Sequence, residues 1–319
     1  MKISVLDAST LGADISYDSL EQLGKTIIFE NTSPDEVSKN IADSDIVIVN
    51  KIKLNESNLV NASNLKLICV AATGFDDIDI AYCKSRGIGV CNVVGYSTNS
   101  VAQVTLAMVL SLSTRLPAYT NFVNSGEYTK SGIANKLTPV YHELAGKVWG
   151  IVGLGNIGKQ VGNVAKAMGC RVISFKRTPD REFPCCNLSY LFQHADIISI
   201  HLPLTEDTKG IISKELIDTM KPDAIIINVA RGAVTDEAAL ADAILEHRIG
   251  GLGVDVYAEE PFSEMHPFQK ILGHPNVCFT PHMAWGAYES RCRCLEEIVL
   301  NIKSYFDGET RNRLDITEI

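Results

Sequence analysis

Residues 148–170 read VWGIVGLGNIGKQVGNVAKAMGC, and the reading of this stretch decides the fold. VWGIV predicts a buried strand, and KQVGNVAKAMGC carries helical periodicity. Between them stands Gly153-Leu154-Gly155-Asn156-Ile157-Gly158, so a G-x-G-x-x-G run closes a strand and opens a helix. Alone, such a run is only a glycine-rich turn. In this setting it predicts a dinucleotide site: Gly153 permits the tight turn, Gly155 lets backbone approach a pyrophosphate, and Gly158 lets helix pack on strand. The first turn, with Asn156 and Ile157, then offers N–H groups and partial positive charge to the phosphates.

The same alternation runs through the rest of the chain. ISVLDA, TIIFE, DIVIVN, LKLICVA and GIGVCN precede the glycine motif, and RVISF, DIISIHL, AIIINVA, LGVDVY and VCFTPH follow it. Nearly continuous Ile/Val strands separated by helix-length connections predict parallel sheets covered on both faces. Eleven strands overload one sheet, so the expected class is α/β with two doubly wound parallel-sheet domains and a cleft between them. The boundary is placed near residues 97–101, where STNS precedes the apolar helix VAQVTLAMVLSLSTRL. A C-terminal helix from about Glu289 to Phe306 is expected to return to the first domain. The domains are then 1–100 plus 289–319, discontinuous, and 101–288. Residues 118–145 read as irregular and polar, a lid or a subunit contact.

The 319 residues carry 29 Lys+Arg against 38 Asp+Glu, a net charge of -9 that repels phosphate backbones, so no nucleic-acid partner is expected. Hydrophobic residues at 46% and charged residues at 21% describe a globular chain, which excludes extensive disorder. No apolar run reaches the roughly 18 residues of a membrane-spanning helix, and Asp7 falls where a signal peptide would be apolar. The expectation is a cytoplasmic protein with no membrane partner. Nine cysteines are an odd number for a disulfide framework. Cys69, Cys91 and Cys278 stand in apolar runs, as small buried thiols do. The close pairs Cys185-Cys186 and Cys292-x-Cys294 lack a neighbouring His, so no metal site is expected.

The chemistry is expected at the carboxyl ends of the strands, where ligands of open α/β sheets bind. Arg231 follows AIIINVA, Glu260 follows LGVDVY, and His282 follows VCFTP. Each has an ordinary explanation as a surface charge or turn residue. Together they make up what reduction of a 2-oxo acid requires. Arg231 grips carboxylate and carbonyl oxygen, His282 protonates that oxygen, and Glu260 holds the imidazole's tautomer. His142, His194, His247, His266 and His274 lie in polar surroundings without such partners and read as surface or packing residues. At the end of the second strand of the glycine-motif domain, where an NAD site places an acid about 20 residues on, stands Lys176, followed by Arg177 and Thr178. Lysine and arginine pair with a 2′-phosphate, which favours NADP(H), or use of both NADP and NAD; Asp180 is close enough in sequence to swing in.

The ordered set GLGNIG, HLPLTEDTKG, INVARGAVTDEAAL, GVDVYAEEP and TPHMAW resembles the D-isomer-specific 2-hydroxyacid dehydrogenase family over nearly the whole chain. The resemblance implies a flavodoxin-like substrate domain and a Rossmann cofactor domain, with Arg231, Glu260 and His282 as the catalytic set. It implies that Asp255 holds the nicotinamide carboxamide and that His201, Pro203, Thr208, Val229 and Ala230 lie along the cofactor. Ala71-Ala72-Thr73-Gly74 is similar to the family's substrate-carboxylate loop, an anion nest, with Lys51 beside it and Trp285 shaping the pocket. GYSTNSVAQ, NSGEYTKSG and SFKRTPD are most similar to glycerate dehydrogenases, also called hydroxypyruvate reductases. The implied substrate is thus a small 2-oxo acid such as hydroxypyruvate or glyoxylate, with a D-lactate-type reductase as the near alternative. The family also implies a homodimer through residues 101–145. A nicotinamide-sensing binding protein of the same fold stands as the rival from another class.

Overall fold

The computed structural model describes residues 1–178 and 180–316. The chain divides into two compact units, Met1–Ser97 with Gly286–Ile319, and Thr98–Trp285. In the first, strands β1 (Lys2–Val5), β2 (Lys25–Ile28), β3 (Ile46–Val49), β4 (Leu67–Val70) and β5 (Gly89–Cys91) form a parallel sheet in the order β2-β1-β3-β4-β5. That is the flavodoxin-like order, whose switch point falls between β1 and β3. β3 and β4 are buried at every position, as strands covered on both faces must be. The helix Tyr288–Phe306 belongs to this unit and packs on β4 through a buried stripe that includes Leu295, Ile298 and Ile302.

The second unit holds β6 (Val148–Val152), β7 (Arg171–Phe175), β8 (Ile197–Ile200), β9 (Ile225–Asn228), β10 (Gly251–Val254) and β11 (Val277–Phe279). All are parallel, in the order β11-β10-β9-β8-β6-β7. Successive residues alternate between two core clusters. Trp149, Ile151, Ile197 and Ile227 face one, while Val152, Ile198 and Ile226 face the other. The chain leaves β6 for β7 on one side and returns to β8 on the other. The switch point therefore lies at the end of β6, where the glycine motif begins.

The helix Thr98–Thr114 supplies Val101, Met108, Val109 and Leu112 to the core of this unit. Glycine in β10 makes the close approach possible, since a Cβ at Gly253 would lie 3.2 Å from the Met108 sulfur and 2.5 Å from Ile227. No single helix among the described residues is long and apolar enough to cross a membrane. The expected irregular stretch 118–145 is corrected in part. Arg115, at φ 56, breaks the first helix, and Leu116–Asn124 and Glu127–Ser131 form two short further helices. Neither buries any residue, so neither writes an inward stripe into the sequence, and Leu116, Val123, Ile133, Leu137, Val140 and Tyr141 are exposed.

Candidate active site

Three loops leave the carboxyl ends of β9, β10 and β11, each fixed by its own side chains. After β9, Asn228 is buried; its Oδ1 accepts the Ala230 N–H (3.0 Å) and its Nδ2 donates to the Arg231 carbonyl (2.9 Å). The turn leaves Arg231 extended, with a guanidinium N–H on the Ala230 carbonyl at 2.8 Å. The next residue has to be glycine, because a Cβ at Gly232 would lie 2.0 Å from the Tyr257 carbonyl carbon and 2.1 Å from the Ala258 nitrogen. The Arg231 loop is thereby pressed against the loop that carries Glu260.

Within that second loop Glu260 folds back, and its Oε1 accepts the Tyr257 N–H at 2.9 Å. Its Oε2 lies 2.6 Å from the Nδ1 of His282. This is a short bond between a carboxylate and an imidazole, and it turns the ring's Nε2 the opposite way. The pair is partly exposed, at 21% for the His282 side chain and 32% for Glu260. An apolar cavity of about 470 Å³ adjoins it, lined by Tyr257, Pro261, Phe262 and Phe279 among others.

His282 itself is strained. Its φ of 53° is left-handed, which costs a non-glycine residue about 1–2 kcal/mol. Asp255 holds it there. The His282 N–H donates to the Asp255 carbonyl (2.8 Å), while the buried Asp255 carboxylate accepts Thr280 Oγ1–H (2.5 Å), Met283 N–H (2.9 Å) and Ala284 N–H (2.9 Å). Burial raises the Asp255 pKa, against the lowering pull of those bonds and of His282. Asp255 therefore clamps the whole Thr280–Ala284 turn. Trp285 packs beside it on the core, half-buried.

At the end of β6 the glycine motif has the shape a dinucleotide needs. Gly153 adopts φ 96°, and a Cβ there would meet the His201 carbonyl at 2.8 Å; a Cβ on Gly158 would lie 2.1 Å from the Gly153 oxygen. In front of Gly155 there is open space. The helix Asn156–Ala167 starts at Gly155 with no side-chain cap on its first amides. A pyrophosphate fits that cradle. Asn156 is exposed and Ile157 half-buried against the core.

His201 meets Ser199 Oγ through Nε2 (3.0 Å), and the same hydroxyl takes Trp149 Nε1–H at 2.9 Å. Its buried Nδ1 has no partner among the described residues, and burial pulls its pKa down to about 3. Thr208 closes its own loop, donating to the Pro203 carbonyl at 2.6 Å. Val229 and Ala230 are buried at the end of β9. Beyond β7, Lys176, Arg177 and Thr178 are exposed. Asp180 pairs with lysines: its carboxylate lies 2.8 Å from Lys159 Nζ and 3.8 Å from Lys176 Nζ, and the Lys159 bond takes its pKa to about 2. Arg177 approaches Asp207 only at 3.9 Å on open surface, a pair worth little.

In the first unit, Lys51 is exposed at the end of β3, and its N–H donates to Asp7 Oδ2 at 2.6 Å. Asp7 also accepts the Asn50 N–H, at 3.0 and 3.2 Å, and burial raises its pKa despite these bonds. In the loop after β4, Ala71 is buried and Ala72 half-buried. The next residue, Thr73, donates from Oγ1 to the Val93 carbonyl (2.7 Å), beside half-buried Gly74.

Comparison with known proteins gives this geometry its context. Residues 106–284 match the family model described as "D-isomer specific 2-hydroxyacid dehydrogenase, NAD binding domain". The chain belongs to the D-isomer-specific 2-hydroxyacid dehydrogenase family. It is 33% identical over 315 residues to a glycerate dehydrogenase of Methylorubrum extorquens, covering 98% of each chain. It is also 33% identical over 321 residues to a hydroxypyruvate reductase of Blautia hydrogenotrophica, covering 98% of this chain and 99% of that one. Among solved structures, a D-lactate dehydrogenase from Aquifex aeolicus complexed with NAD and lactic acid superposes with a TM-score of 0.85 at 29% identity, over 99% of this chain and 100% of that one. This 2-hydroxyacid dehydrogenase is thus an oxidoreductase with a nicotinamide dinucleotide cofactor.

Several residues that shape the site have roles that no spacing announces: Asn228 bonds backbone through its amide, Tyr257 gives its N–H to Glu260, and Thr280 gives its hydroxyl to Asp255. His266, read as a surface or packing residue without partners, is corrected. It is buried, and its Nε2 lies 2.9 Å from Glu237 Oε2. Among the described residues no group of three or more His, Cys, Asp or Glu is placed to hold a metal ion.

Proposed function

We propose that this dehydrogenase reduces hydroxypyruvate, glyoxylate or a similarly small 2-oxo acid to the D-hydroxy acid. The observation that carries the reading is the 2.6 Å bond between Glu260 and His282 Nδ1. It fixes the ring so that Nε2, turned away from the carboxylate, is the nitrogen that gives up a proton. Arg231 binds the substrate's carboxylate and carbonyl oxygen, and its fixed charge offsets the negative charge that develops on that oxygen. A bound nicotinamide cofactor supplies the hydride. Gly153, Gly155, Asn156, Ile157 and Gly158 hold its pyrophosphate, with Asp255, His201, Pro203, Thr208, Val229 and Ala230 along its length.

NADP is the favoured cofactor in this reading. Lys159 and Lys176 both approach the carboxylate of Asp180 past β7, and this cluster of cations, with Arg177 and Thr178 beside it, suits a 2′-phosphate. Lys51, Ala72, Thr73, Gly74 and Trp285 serve the substrate, and the unit Met1–Ser97 with Gly286–Ile319 is the substrate-binding domain. The exposed apolar side chains of residues 116–141 support a homodimer through 101–145. All nine cysteines are free thiols, which suits a reducing cytoplasm.

The test is turnover. Purified protein with NADPH and hydroxypyruvate or glyoxylate is expected to oxidise the cofactor, with kcat/KM for NADPH about tenfold or more above NADH. Absence of turnover with either substrate and both cofactors would overturn the reading, and a preference for NADH would overturn its cofactor part.

A further inference from the structure

Behind the Glu260–His282 pair lies a second pair of the same composition. Glu237 opens the helix Glu237–Leu245, whose first turn is capped by Asp236 Oδ1 accepting the Ala239 N–H at 2.9 Å. Both Glu237 and His266 are buried, their side chains 9% and 5% exposed. His266 Nδ1 accepts the Phe268 N–H at 3.2 Å, so Nε2 is the protonated nitrogen and donates to Glu237 Oε2. The ring is wedged among Phe262, Phe268 and Tyr257, with centroids 4.8, 5.1 and 6.3 Å away.

The other oxygen of Glu237 reaches the loop that carries Glu260. Oε1 accepts the Ala258 N–H at 3.0 Å. The preceding amide, Tyr257 N–H, donates to Glu260 Oε1 at 2.9 Å. Consecutive amides thus serve two carboxylates, one on the helix frame and one in the reacting pair. The Tyr257–Ala258 peptide carries the second of these amides and is the one against which Gly232 presses the Arg231 loop. It shares the Tyr257 Cα with the peptide that carries the Tyr257 N–H, so a shift of that Cα displaces the donor to Glu260 and loosens the seat of Arg231 together.

We propose that Glu237 and His266 are positioning residues for the proposed reduction: through the Ala258 N–H they hold the Tyr257–Ala258 peptide, and thereby aim Glu260 at His282 and seat the Arg231 loop. A carboxylate suits the place because it accepts two bonds at once, and His266 offsets the cost of burying it by donating to its second oxygen. An apolar residue of equal size would fill the same space and leave the loop unpinned.

The experiment compares Glu237→Ala and Glu237→Gln with wild type in steady-state 2-oxo acid reduction. It also reads the downfield proton of the His282 Nδ1–H bond to Glu260 in 15N-histidine-labelled protein. Glu237→Ala is expected to lower kcat about tenfold with little change in cofactor KM and to lose the downfield signal. Glu237→Gln keeps an acceptor for the Ala258 N–H but sets its amide NH2 against the His266 Nε2–H, and is expected to recover part of both. If Glu237→Ala does not fold, His266→Gln is expected to show the same pattern more weakly. A fall in melting temperature alone, with kcat and proton signal unchanged, would overturn the proposal. The proton signal is read without substrate, so its result is distinguishable from a failure of the substrate assignment.

Discussion

His282–Glu260 and His266–Glu237 are the same two functional groups at similar distances, 2.6 and 2.9 Å, put to different uses. His282 sits at a left-handed φ of 53° on a strand-end loop, meets its carboxylate through Nδ1, and is partly open to solvent. His266 sits at an ordinary φ of -63°, meets its carboxylate through Nε2, and spends Nδ1 on the Phe268 amide. A histidine–carboxylate distance alone does not mark a pair as one that reacts. What matters is where the second ring nitrogen points and what it is bonded to. In one pair that nitrogen is turned away from the carboxylate on a partly exposed ring; in the other it is committed to the backbone.

The comparison breaks most sharply at the ring itself. His282→Ala is expected to lower kcat by about 10²–10⁴ while cofactor binding is kept, the range for a lost general acid. Steady-state kinetics with fluorescence titration of the reduced cofactor checks it. A loss under tenfold would place the proton donor elsewhere.

A third histidine sharpens the contrast, because its ring bonds a hydroxyl, Ser199 Oγ, in place of a carboxylate. Burial alone holds His201 neutral, with its pKa down at about 3 against 6.5 in the unfolded chain. The folded value is depressed, so the unfolded state takes up the proton first. The contribution to stability is full above pH 6.5 and is lost as pH falls from there toward 3. The melting temperature is expected to fall between about pH 6.5 and about pH 5, and His201→Gln to flatten that slope. An unchanged slope in the variant would contradict the burial account.

How far these features are legible depends on how local their causes are. The strands can be read because a strand covered on both faces must be apolar throughout, as IVIV at 46–49 and IIIN at 225–228 nearly are. The glycine motif can be read because each glycine answers a backbone demand within the motif itself. Arg231, Glu260 and His282 are singled out by their place after successive strands and by the family's motifs. Glu237 and His266, 29 positions apart, meet only when two loops fold together, and neither has a periodic context to mark it. The left-handed backbone of His282 is imposed by Asp255 from a neighbouring strand end. Leu116–Asn124 leaves no helical signature because it buries nothing. Asp180 stands in the sequence as one possible ligand for ribose, and its capture by Lys159 depends on the fold of the loop.

Whether Glu260 holds the His282 ring in the orientation that gives a proton to substrate is read from kcat for 2-oxo acid reduction in wild type, Glu260→Gln and Glu260→Ala. Glu260→Ala removes the partner of His282 Nδ1 and is expected to lower kcat about tenfold or more with cofactor KM little changed, while Glu260→Gln, whose side-chain oxygen still accepts the Nδ1–H, is expected to recover part of the loss. A kcat for Glu260→Ala within about twofold of wild type would show that this bond does not serve the reaction.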